Sequence, residues 1–270
     1  MAPKSTANIE PGGGITALFK GPPGSGKTVG AASFPGPILF LDCDGRMAPA
    51  RKMFPERKDI FYESFKPGKK GEFLRLISVL NGLEGRGDYI TGVLDSLTSF
   101  GRLAVDHALI ERGEQKGSAI NKLGGLPIPE WPEWRFEDRA LWKVMNFCRY
   151  EAGFKHFILT AHLQEIERKK KKEGGGEEGE TKTYRRVVTG AQWLAAEIPA
   201  YFDEVWNFTG EPGGPGGNGI FSAVTVNLDE DSAKTALPLP KRIEFTAPKT
   251  LFGEVSRILA EQKIKLEGAK

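Results

Sequence analysis

One eight-residue segment constrains the fold of this chain more than any other part of the sequence. Residues 21–28 read Gly-Pro-Pro-Gly-Ser-Gly-Lys-Thr and directly follow a short apolar run, Ile15 to Phe19, that predicts a β-strand. The glycines allow consecutive backbone N–H groups to curl closely around an anion. The residues after Lys27 are rich in alanine and predict a helix. Strand, glycine-rich loop and helix in this order predict a phosphate-binding loop.

This loop predicts that the chain binds ATP together with Mg²⁺. We expect Lys27 to reach the β- and γ-phosphates and the hydroxyl of Thr28 to hold the cation. The residues expected to contact the nucleotide are Gly21, Pro22, Pro23, Gly24, Ser25, Gly26, Lys27 and Thr28. An ordinary glycine-rich turn is the alternative interpretation, and the flanking strand and helix weigh against it.

Composition limits the class of protein without deciding its partner. A chain of 270 residues that is 39% hydrophobic can bury one sizeable core, so we expect a single α/β domain with appendages. The net charge of +3 neither demands nor excludes a polyanionic partner. Cys43 and Cys148 lack the spacing of a zinc site or a disulfide framework, which fits a reducing compartment. No apolar run approaches the ~20 residues of a membrane span, so we expect a cytoplasmic protein without membrane contact.

Apolar runs alternate with helical periodicity along most of the chain. Phe73, Leu76, Ile77 and Leu80 are spaced as on one face of a helix, and Leu141 to Cys148 repeats this spacing. The runs that predict strands are Pro37–Leu41, Tyr89–Leu94, Phe157–Ala161, Glu204–Phe208, Ile220–Asn227 and Arg242–Phe245. The alternation predicts a parallel sheet with right-handed crossovers. We expect a flexible leader over residues 1–14, a core over 15–248 and a C-terminal helix over 249–270.

Three titratable residues follow successive predicted strands. Asp44, Asp95 and His162 stand at the carboxyl ends of these strands, where an open α/β sheet places its ligand site. An apolar run that closes on Asp95 suits the positioning of Mg²⁺ beside a phosphate loop. The alternatives stay open at this point: Asp95 as a strand-end turn residue, Asp44 with Gly45 as a simple turn, and His162 as a core or capping histidine.

Two long segments interrupt this scaffold. Residues 111–135 combine glycines and prolines with Trp131 and Trp134 and predict a loop with exposed aromatic side chains. The second segment is a candidate loop over residues 164–186, and its charged and glycine-rich stretch from Arg168 to Arg186 is expected not to pack. Its candidate nucleic-acid contacts are Arg168, Lys169, Lys170, Lys171, Lys172, Lys182, Tyr184, Arg185 and Arg186. A solvated low-complexity insertion is the alternative.

From residue 15 to about residue 246 the order of motifs resembles the ATPase core of the RecA-type recombinases, and most closely the short phage proteins that consist of that core. The resemblance implies a P-loop NTPase fold with a mostly parallel central sheet, flanking helices and late antiparallel strands. The segment Phe40 to Asp44 resembles the strand whose final acid activates the attacking water, a glutamate in most of the family. Val93 to Ser96 resembles the Mg²⁺-positioning strand end. Ile158 to His162 resembles the strand that ends in a γ-phosphate sensor, normally glutamine.

The resemblance also assigns roles outside the nucleotide site. The two interrupting segments fall where the family places its two DNA-binding loops. The segment Lys234 to Leu239 resembles the one from which a neighbouring subunit inserts a lysine toward the nucleotide, so Lys234 is a candidate trans-acting residue, with an exposed loop lysine as the alternative. The expected partners are single-stranded DNA, further copies of the chain in a ring or filament, and a single-strand DNA-binding protein.

The leading expectation is an ATP-hydrolysing, single-stranded DNA-binding protein of phage recombination or strand annealing. A P-loop kinase acting on a small molecule is one alternative, because Arg185 and Arg186 could belong to a lid that closes over phosphates. A motor ATPase of the helicase or packaging type is another, since the phosphate loop and Asp95 suit it equally.

Overall fold

The computed structural model describes residues 13–115, 122–123, 126–169, 181–189, 193–211, 219–226, 233–246 and 248–268. The strands are β1 (Thr16–Gly21), β2 (Ile38–Asp42), β3 (Ile60–Ser64), β4 (Thr91–Asp95), β5 (Lys122–Leu123), β6 (Leu126–Pro127), β7 (His156–Lys169), β8 (Thr181–Val187), β9 (Glu204–Glu211), β10 (Ile220–Val224) and β11 (Arg242–Phe245). The helices are α1 (Lys27–Ala32), α2 (Ala48–Met53), α3 (Glu72–Asn81), α4 (Leu97–Glu114), α5 (Trp131–Tyr150), α6 (Leu194–Glu197) and α7 (Leu251–Gly268).

The main sheet has the order β11-β10-β9-β1-β7-β4-β2-β3, with β8 paired to β7. Six strands are parallel to one another, in the order β3, β2, β4, β7, β1 and β9. Strands β10 and β11 then extend the sheet beyond β9 in antiparallel pairing. This arrangement confirms the predicted fold class. Because the strands β1, β2, β4 and β7 are parallel, their carboxyl ends meet at one edge, which is where an α/β sheet places its ligand site.

Alternate residues of the central strands enter two separate apolar layers. Leu39 and Leu41 of β2 pack with the layer that holds residues of α3, α4 and α5, whereas Ile38 and Phe40 pack with the layer under α1, α2 and α7. Every residue of β2 and β4 is buried. Continuous apolar runs therefore fold as strands covered on both faces, as parallel strands usually are.

Strand β7 is longer than the sequence predicts. The expectation that it ends at His162 is wrong, because β7 continues to Lys169 and pairs antiparallel with β8, from Leu163 opposite Val187 to Lys169 opposite Thr181. The segment predicted as a loop over 164–186 therefore forms a two-stranded ribbon over its described residues, 164–169 and 181–186. Threonine, tyrosine and valine favour strands in β8 although charges dominate its composition. Residues 170–180 lie outside the described residues.

The first interrupting segment is shorter than predicted. Helix α4 continues to Glu114 and α5 begins at Trp131, so both ends of the predicted loop over 111–135 are helical. Glu130 and Glu133 form a capping box at the start of α5. Pro132 misled the prediction, since a proline in the first turn of a helix is well tolerated. Between the helices, β5 and β6 pair as a short hairpin.

Strand β3, helix α2 and most of helix α4 were not predicted from the sequence. Strand β3 is a short edge strand with exposed Phe61 and Tyr62, so it lacks the continuous apolar run of a buried strand. Helix α4 spreads its apolar residues around the helix rather than along one stripe, which hides the helical period. Among the described helices, none has the combined length and apolar character needed to cross a membrane.

Candidate nucleotide site

The predicted phosphate loop, Asp44, Asp95 and His162 meet in one cleft at the carboxyl edge of the parallel strands. The cleft has a volume of about 270 Å³ and is lined by residues 23–29 of the loop together with these three side chains. The loop continues β1, Asp44 follows β2, Asp95 ends β4, and His162 lies on β7 opposite Gly21. Parallel pairing of the four strands thus brings together residues that are far apart in the sequence.

Glycine is required at the two ends of the loop for different reasons. A Cβ at Gly21 would lie 2.5 Å from the carbonyl oxygen of Phe208 and 2.7 Å from Oγ of Ser25. Gly26 adopts a φ of 91°, and a Cβ there would lie 2.5 Å from Cδ1 of Phe221. Both positions exclude larger residues because of close packing, and Gly26 also needs a left-handed backbone. The loop is therefore held in its curled form before any ligand binds.

Lys27 lies inside the loop. Its Nζ donates hydrogen bonds to the carbonyl oxygens of Gly21 and Pro22, both at 2.9 Å, and only 5% of the residue is exposed. Burial lowers the pKa of Lys27 to about 8, although the charges of Asp95 and Asp44 oppose the shift. A buried ammonium that is held by two neutral carbonyls lacks a full counterion, and an anionic phosphate in the cleft would supply one.

Thr28 and Asp95 form the polar pair expected to hold a cation. The hydroxyl of Thr28 donates a hydrogen bond of 2.7 Å to Oδ2 of Asp95, and the hydroxyl of Thr160 donates to Oδ1. Burial raises the pKa of Asp95, and the two hydrogen bonds act against this rise. A hydroxyl and a carboxylate beside a phosphate loop are the oxygen ligands that Mg²⁺ uses together with phosphate oxygens and water.

Asp44 is held in place by three side chains. The hydroxyl of Ser96 lies 2.8 Å from Oδ1 of Asp44, and Nε2 of His162 lies 3.0 Å from Oδ2. Burial alone would raise the pKa of Asp44, but hydrogen bonds from His162, Ser99 and Ser96 outweigh it and hold that pKa well below its usual range. Asp44 is therefore a carboxylate at neutral pH, as the acceptor of a proton from water must be.

The neighbouring carboxylate, Asp42, has a different task. Its Oδ1 accepts hydrogen bonds from the backbone N–H groups of Asp44, Gly45 and Arg46, and its Oδ2 accepts one from Ser64. Asp42 thereby fixes the turn that follows β2. This turn carries Asp44, and not Asp42, into the lining of the cleft.

The residues present fit ATP and Mg²⁺ on structural grounds. The cleft offers the curled loop, a buried lysine without a full counterion, and a Thr28–Asp95 oxygen pair. Lys27 and the loop N–H groups would hold the phosphates, and Thr28 with Asp95 would hold the cation. Bound Mg²⁺ would supply neutralisation of the charge that develops on the phosphates.

Lys234 lies away from this cleft. Its backbone pairs with Val205 near the start of β9, through hydrogen bonds of 3.0 Å and 2.8 Å, and its side chain is exposed. Glu204 fastens the following residues by accepting from the N–H groups of Ala236 and Leu237. The structure thus does not bring Lys234 to the nucleotide site of its own chain, and a contact with a neighbouring chain stays a prediction.

The candidate nucleic-acid residues lie on the ribbon of β7 and β8. Arg168 pairs with Lys182, Ile166 with Tyr184, Glu165 with Arg185 and Gln164 with Arg186, while Lys169 pairs with Thr181. Lys170, Lys171 and Lys172 lie outside the described residues. The ribbon starts one residue after His162, so the predicted nucleic-acid segment is a direct continuation of a strand that lines the nucleotide cleft.

Several residues of the site were not predicted from the sequence. Ser96 and Thr160 hold the two aspartates, and Arg46 and Phe221 line the cleft. Thr160 gave a usable signal, because it is a polar residue inside an apolar strand. Phe221 gave none, since it reaches the loop only through the antiparallel pairing of β10 with β9.

Fold and site together define a P-loop nucleotide-binding domain with a mostly parallel central sheet. The family model described as "AAA domain" matches residues 14–214, and the chain belongs to this family. The chain is similar in structure to the flagellar accessory protein FlaH from Methanocaldococcus jannaschii, with 11% identity, 88% of each chain covered and a TM-score of 0.39. It is also similar to a KaiC-like protein from Pyrococcus horikoshii OT3, with 13% identity, 87% of this chain and 85% of that chain covered, and a TM-score of 0.38. No curated protein matches the chain.

Proposed function

We propose that this ATPase binds single-stranded DNA in an ATP-dependent manner and acts in homologous recombination or strand annealing, in a phage context. The observation that carries the proposal is the continuity of β7. The strand begins in the sheet, contributes His162 to the nucleotide cleft, and continues as one arm of a ribbon rich in lysine and arginine. Cationic side chains with an aromatic residue match the phosphates and bases of a single strand.

His162 is the physical link between the two sites. Its Nε2 lies 3.0 Å from Oδ2 of Asp44, and its backbone pairs with Gly21 at the start of the phosphate loop. Nδ1 of His162 is buried and has no hydrogen-bond partner among the described residues. A γ-phosphate that drew the imidazole away from Asp44 would therefore change the side-chain contact of the residue directly before the ribbon. By reciprocity, a DNA strand bound to the ribbon would change the same contact between His162 and Asp44.

In the hydrolytic step, each residue of the cleft has one role. Lys27 and the loop amides would bind the phosphates, and Thr28 with Asp95 would hold Mg²⁺. Asp44 accepts a proton from the attacking water, which requires that its hydrogen bond with His162 be exchanged or shared. His162 would donate a hydrogen bond toward the γ-phosphate, at the position where the RecA-type recombinases that the sequence resembles normally have glutamine.

The proposal includes a homo-oligomer, either a ring or a filament. The exposed side chain of Lys234 lies on a segment that Glu204 fastens to the sheet, so it is presented on a fixed base. We infer that Lys234 acts on the nucleotide of a neighbouring chain. A single-strand DNA-binding protein is proposed as a further partner, because both proteins would occupy the same DNA.

The test is steady-state release of phosphate from ATP and Mg²⁺, with and without single-stranded DNA, at two salt concentrations. We expect DNA to stimulate hydrolysis. The stimulation should weaken at the higher salt concentration, because DNA binding releases counterions and that release is less favourable when the salt concentration is high. Hydrolysis that ignores DNA would contradict the proposal. Phosphate found on an acceptor molecule would indicate a kinase, and ATP-driven duplex unwinding or translocation would indicate a motor.

Lys27→Ala should abolish hydrolysis and ATP-dependent DNA binding together, a loss of at least about 100-fold in rate. The matched control is Lys58→Ala, which removes the same charge from an exposed position outside the cleft. Thermal melting checks that both variants fold. Full activity of Lys27→Ala would remove the assignment of the phosphate loop.

A further inference from the structure

The outward face of helix α5 carries large aromatic residues. Trp131 is 61% exposed, Trp142 is 47% exposed and Tyr150 is 69% exposed. Apolar side chains of this size on the surface of a stable domain usually mark a contact site when they are grouped. The opposite face of α5 packs into the core through Leu141, Val144 and other residues, so the helix itself does not need these aromatic residues for folding.

The same face carries cations between the aromatic residues. Arg135, Arg139 and Lys143 are exposed, and in the described part of the chain none of the three makes an ion pair. Asp138, half-buried, is the acidic residue nearest to them along the helix. The two other acids of α5, Glu133 and Glu137, are buried and turned away from solvent. The face is thus strongly biased toward positive charge.

Helix geometry places these residues in one continuous band. At about 100° per residue, positions 131, 135, 139, 142, 143 and 150 fall within roughly 120° of the helix circumference. From Trp131 to Tyr150 the band extends for about 28 Å at a rise of 1.5 Å per residue. A band of alternating aromatic and cationic side chains with this length can follow several nucleotides of an extended strand.

One end of the band contacts the chain segment that follows the ribbon. The rings of Trp131 and Trp193 lie 5.0 Å apart, and Trp193 follows β8 by six positions in the chain. At the other end, the guanidinium of Arg149 lies 5.1 Å from the centre of the Tyr150 ring. The band is therefore joined at Trp131 to the segment that leaves the proposed DNA-binding ribbon.

We propose that the α5 band, defined as Trp131, Arg135, Arg139, Trp142, Lys143 and Tyr150, is a second binding surface for single-stranded DNA, continuous with the ribbon of β7 and β8. The inference rests on the proposed function, because it takes the same DNA as ligand. Charge complementarity selects this occupant: three cations without an ion pair among the described residues favour a polyanion, and the exposed aromatic rings offer stacking surfaces for bases.

The first test compares two triple variants by binding of a fluorescent oligo-dT at several salt concentrations. Arg135→Ala with Arg139→Ala and Lys143→Ala removes the band's charges. Arg51→Ala with Lys58→Ala and Arg86→Ala removes two arginines and one lysine from exposed positions elsewhere. Each phosphate contact on a single strand contributes about 0.7 to the slope of log K against log salt, so the band variant should lose about 2 from that slope. The control variant should keep the wild-type slope.

The second test compares two tyrosines. Tyr150→Ala should weaken oligo-dT binding about 10-fold, because base stacking on an aromatic ring is lost. Tyr62→Ala is the matched control, since Tyr62 is 59% exposed on the edge strand β3. Thermal melting shows that each variant folds, and light scattering shows whether its oligomeric state is that of the wild type.

The outcomes separate this inference from the proposed function. If the wild type does not bind oligo-dT, the proposed function fails and the inference fails with it. If Arg185→Ala with Arg186→Ala weakens binding while the band variants bind as the wild type does, the ribbon remains the DNA site and the inference is overturned. If the band variants change the oligomeric mass, the band is a contact between copies of the chain, and the inference is overturned as well.

Discussion

The two halves of β7 differ in what surrounds them. From Phe157 to Ala161 the strand lies between β1 and β4 and its side chains are buried, whereas from Leu163 to Lys169 it pairs with β8. A strand that is bonded on both edges and covered on both faces moves only with the sheet. A two-stranded ribbon is marginally stable by itself. One strand therefore joins a preorganised site to an arm whose stability a partner can change.

His162 stands at the boundary of these halves. Its backbone belongs to the sheet through Gly21, while its ring contacts Asp44 in the cleft. The difference between the halves suggests two separate roles: the buried half holds the residues of the cleft in place, and the ribbon carries charged residues. Measurements along the strand and at its boundary can test this division.

The largest effect is expected from a pair of identical substitutions along β7. Leu159→Ala should lower the free energy of unfolding by about 3 kcal/mol, because Leu159 is fully buried and the change leaves a cavity. Leu163→Ala should cost about 1 kcal/mol, since Leu163 is only partly buried at the base of the ribbon. Urea unfolding of both variants measures the difference. Equal losses would show that the ribbon is as firmly built into the core as the sheet.

The next effect concerns the boundary. Asp44→Asn should slow ATP hydrolysis about 100-fold, the usual contribution of a general base, with little change in ATP affinity. The amide cannot accept the proton from water but retains an oxygen for the hydrogen bond from Ser96. Asp59→Asn is the control, because Asp59 is ion-paired with Arg57 outside the cleft. A variant that loses ATP binding rather than turnover would place Asp44 in ligand binding instead.

The difference between the halves also explains what the sequence could and could not predict. The buried strands were found because a strand covered on both faces must be apolar throughout, as in β2 and the first half of β7. The second half of β7 was missed because a two-stranded ribbon is held by backbone pairing, which does not need a continuous run of apolar side chains. Pro132 led to an expected loop where the structure has the first turn of α5.

The site follows the same division. The residues of the phosphate loop are contiguous in the sequence, so the position of the phosphate site could be predicted from residues 21–28 alone. The roles of Ser96 and Phe221 depend on which strands become neighbours, and spacing in the sequence does not contain that information. The sequence named Asp44, and the structure adds the physical reason that Asp44 rather than Asp42 lines the cleft: Asp42 accepts three backbone N–H groups in the turn after β2.

A smaller effect is expected from the burial of Lys27. Its pKa is lowered to about 8 in the free protein because of burial, and a bound phosphate should raise it again. ATP binding should therefore take up a proton above about pH 8, and the affinity should fall by up to about tenfold per pH unit there. Calorimetry in two buffers of different ionisation enthalpy measures this uptake. Lys27→Ala should show none, and equal uptake in that variant would contradict the assignment.

The smallest effect is expected at the start of β7. His156 accepts a hydrogen bond of 3.1 Å from the N–H of Ile15 and packs against Phe34 and Phe252. Burial, aided by the charge of Lys155, lowers the pKa of His156 to about 4. The unfolded chain therefore binds this proton more readily than the folded protein, so the stability that depends on a neutral His156 is lost as the pH falls from about 6.5 toward 4.

His156→Asn keeps an acceptor for Ile15 but removes the titration. Its free energy of unfolding should be lower at neutral pH, because the asparagine fills less of the space between the two phenylalanines, and it should change less between pH 7 and pH 5 than that of the wild type. Urea unfolding at both pH values gives, for each protein, the change in the free energy of unfolding with pH. The contribution of the carboxylates is common to both proteins, so it cancels when the two changes are subtracted. Equal changes in the two proteins would mean that His156 already takes up its proton in the folded sheet, and the buried half of β7 would then be less closed to water than the comparison of the two halves requires.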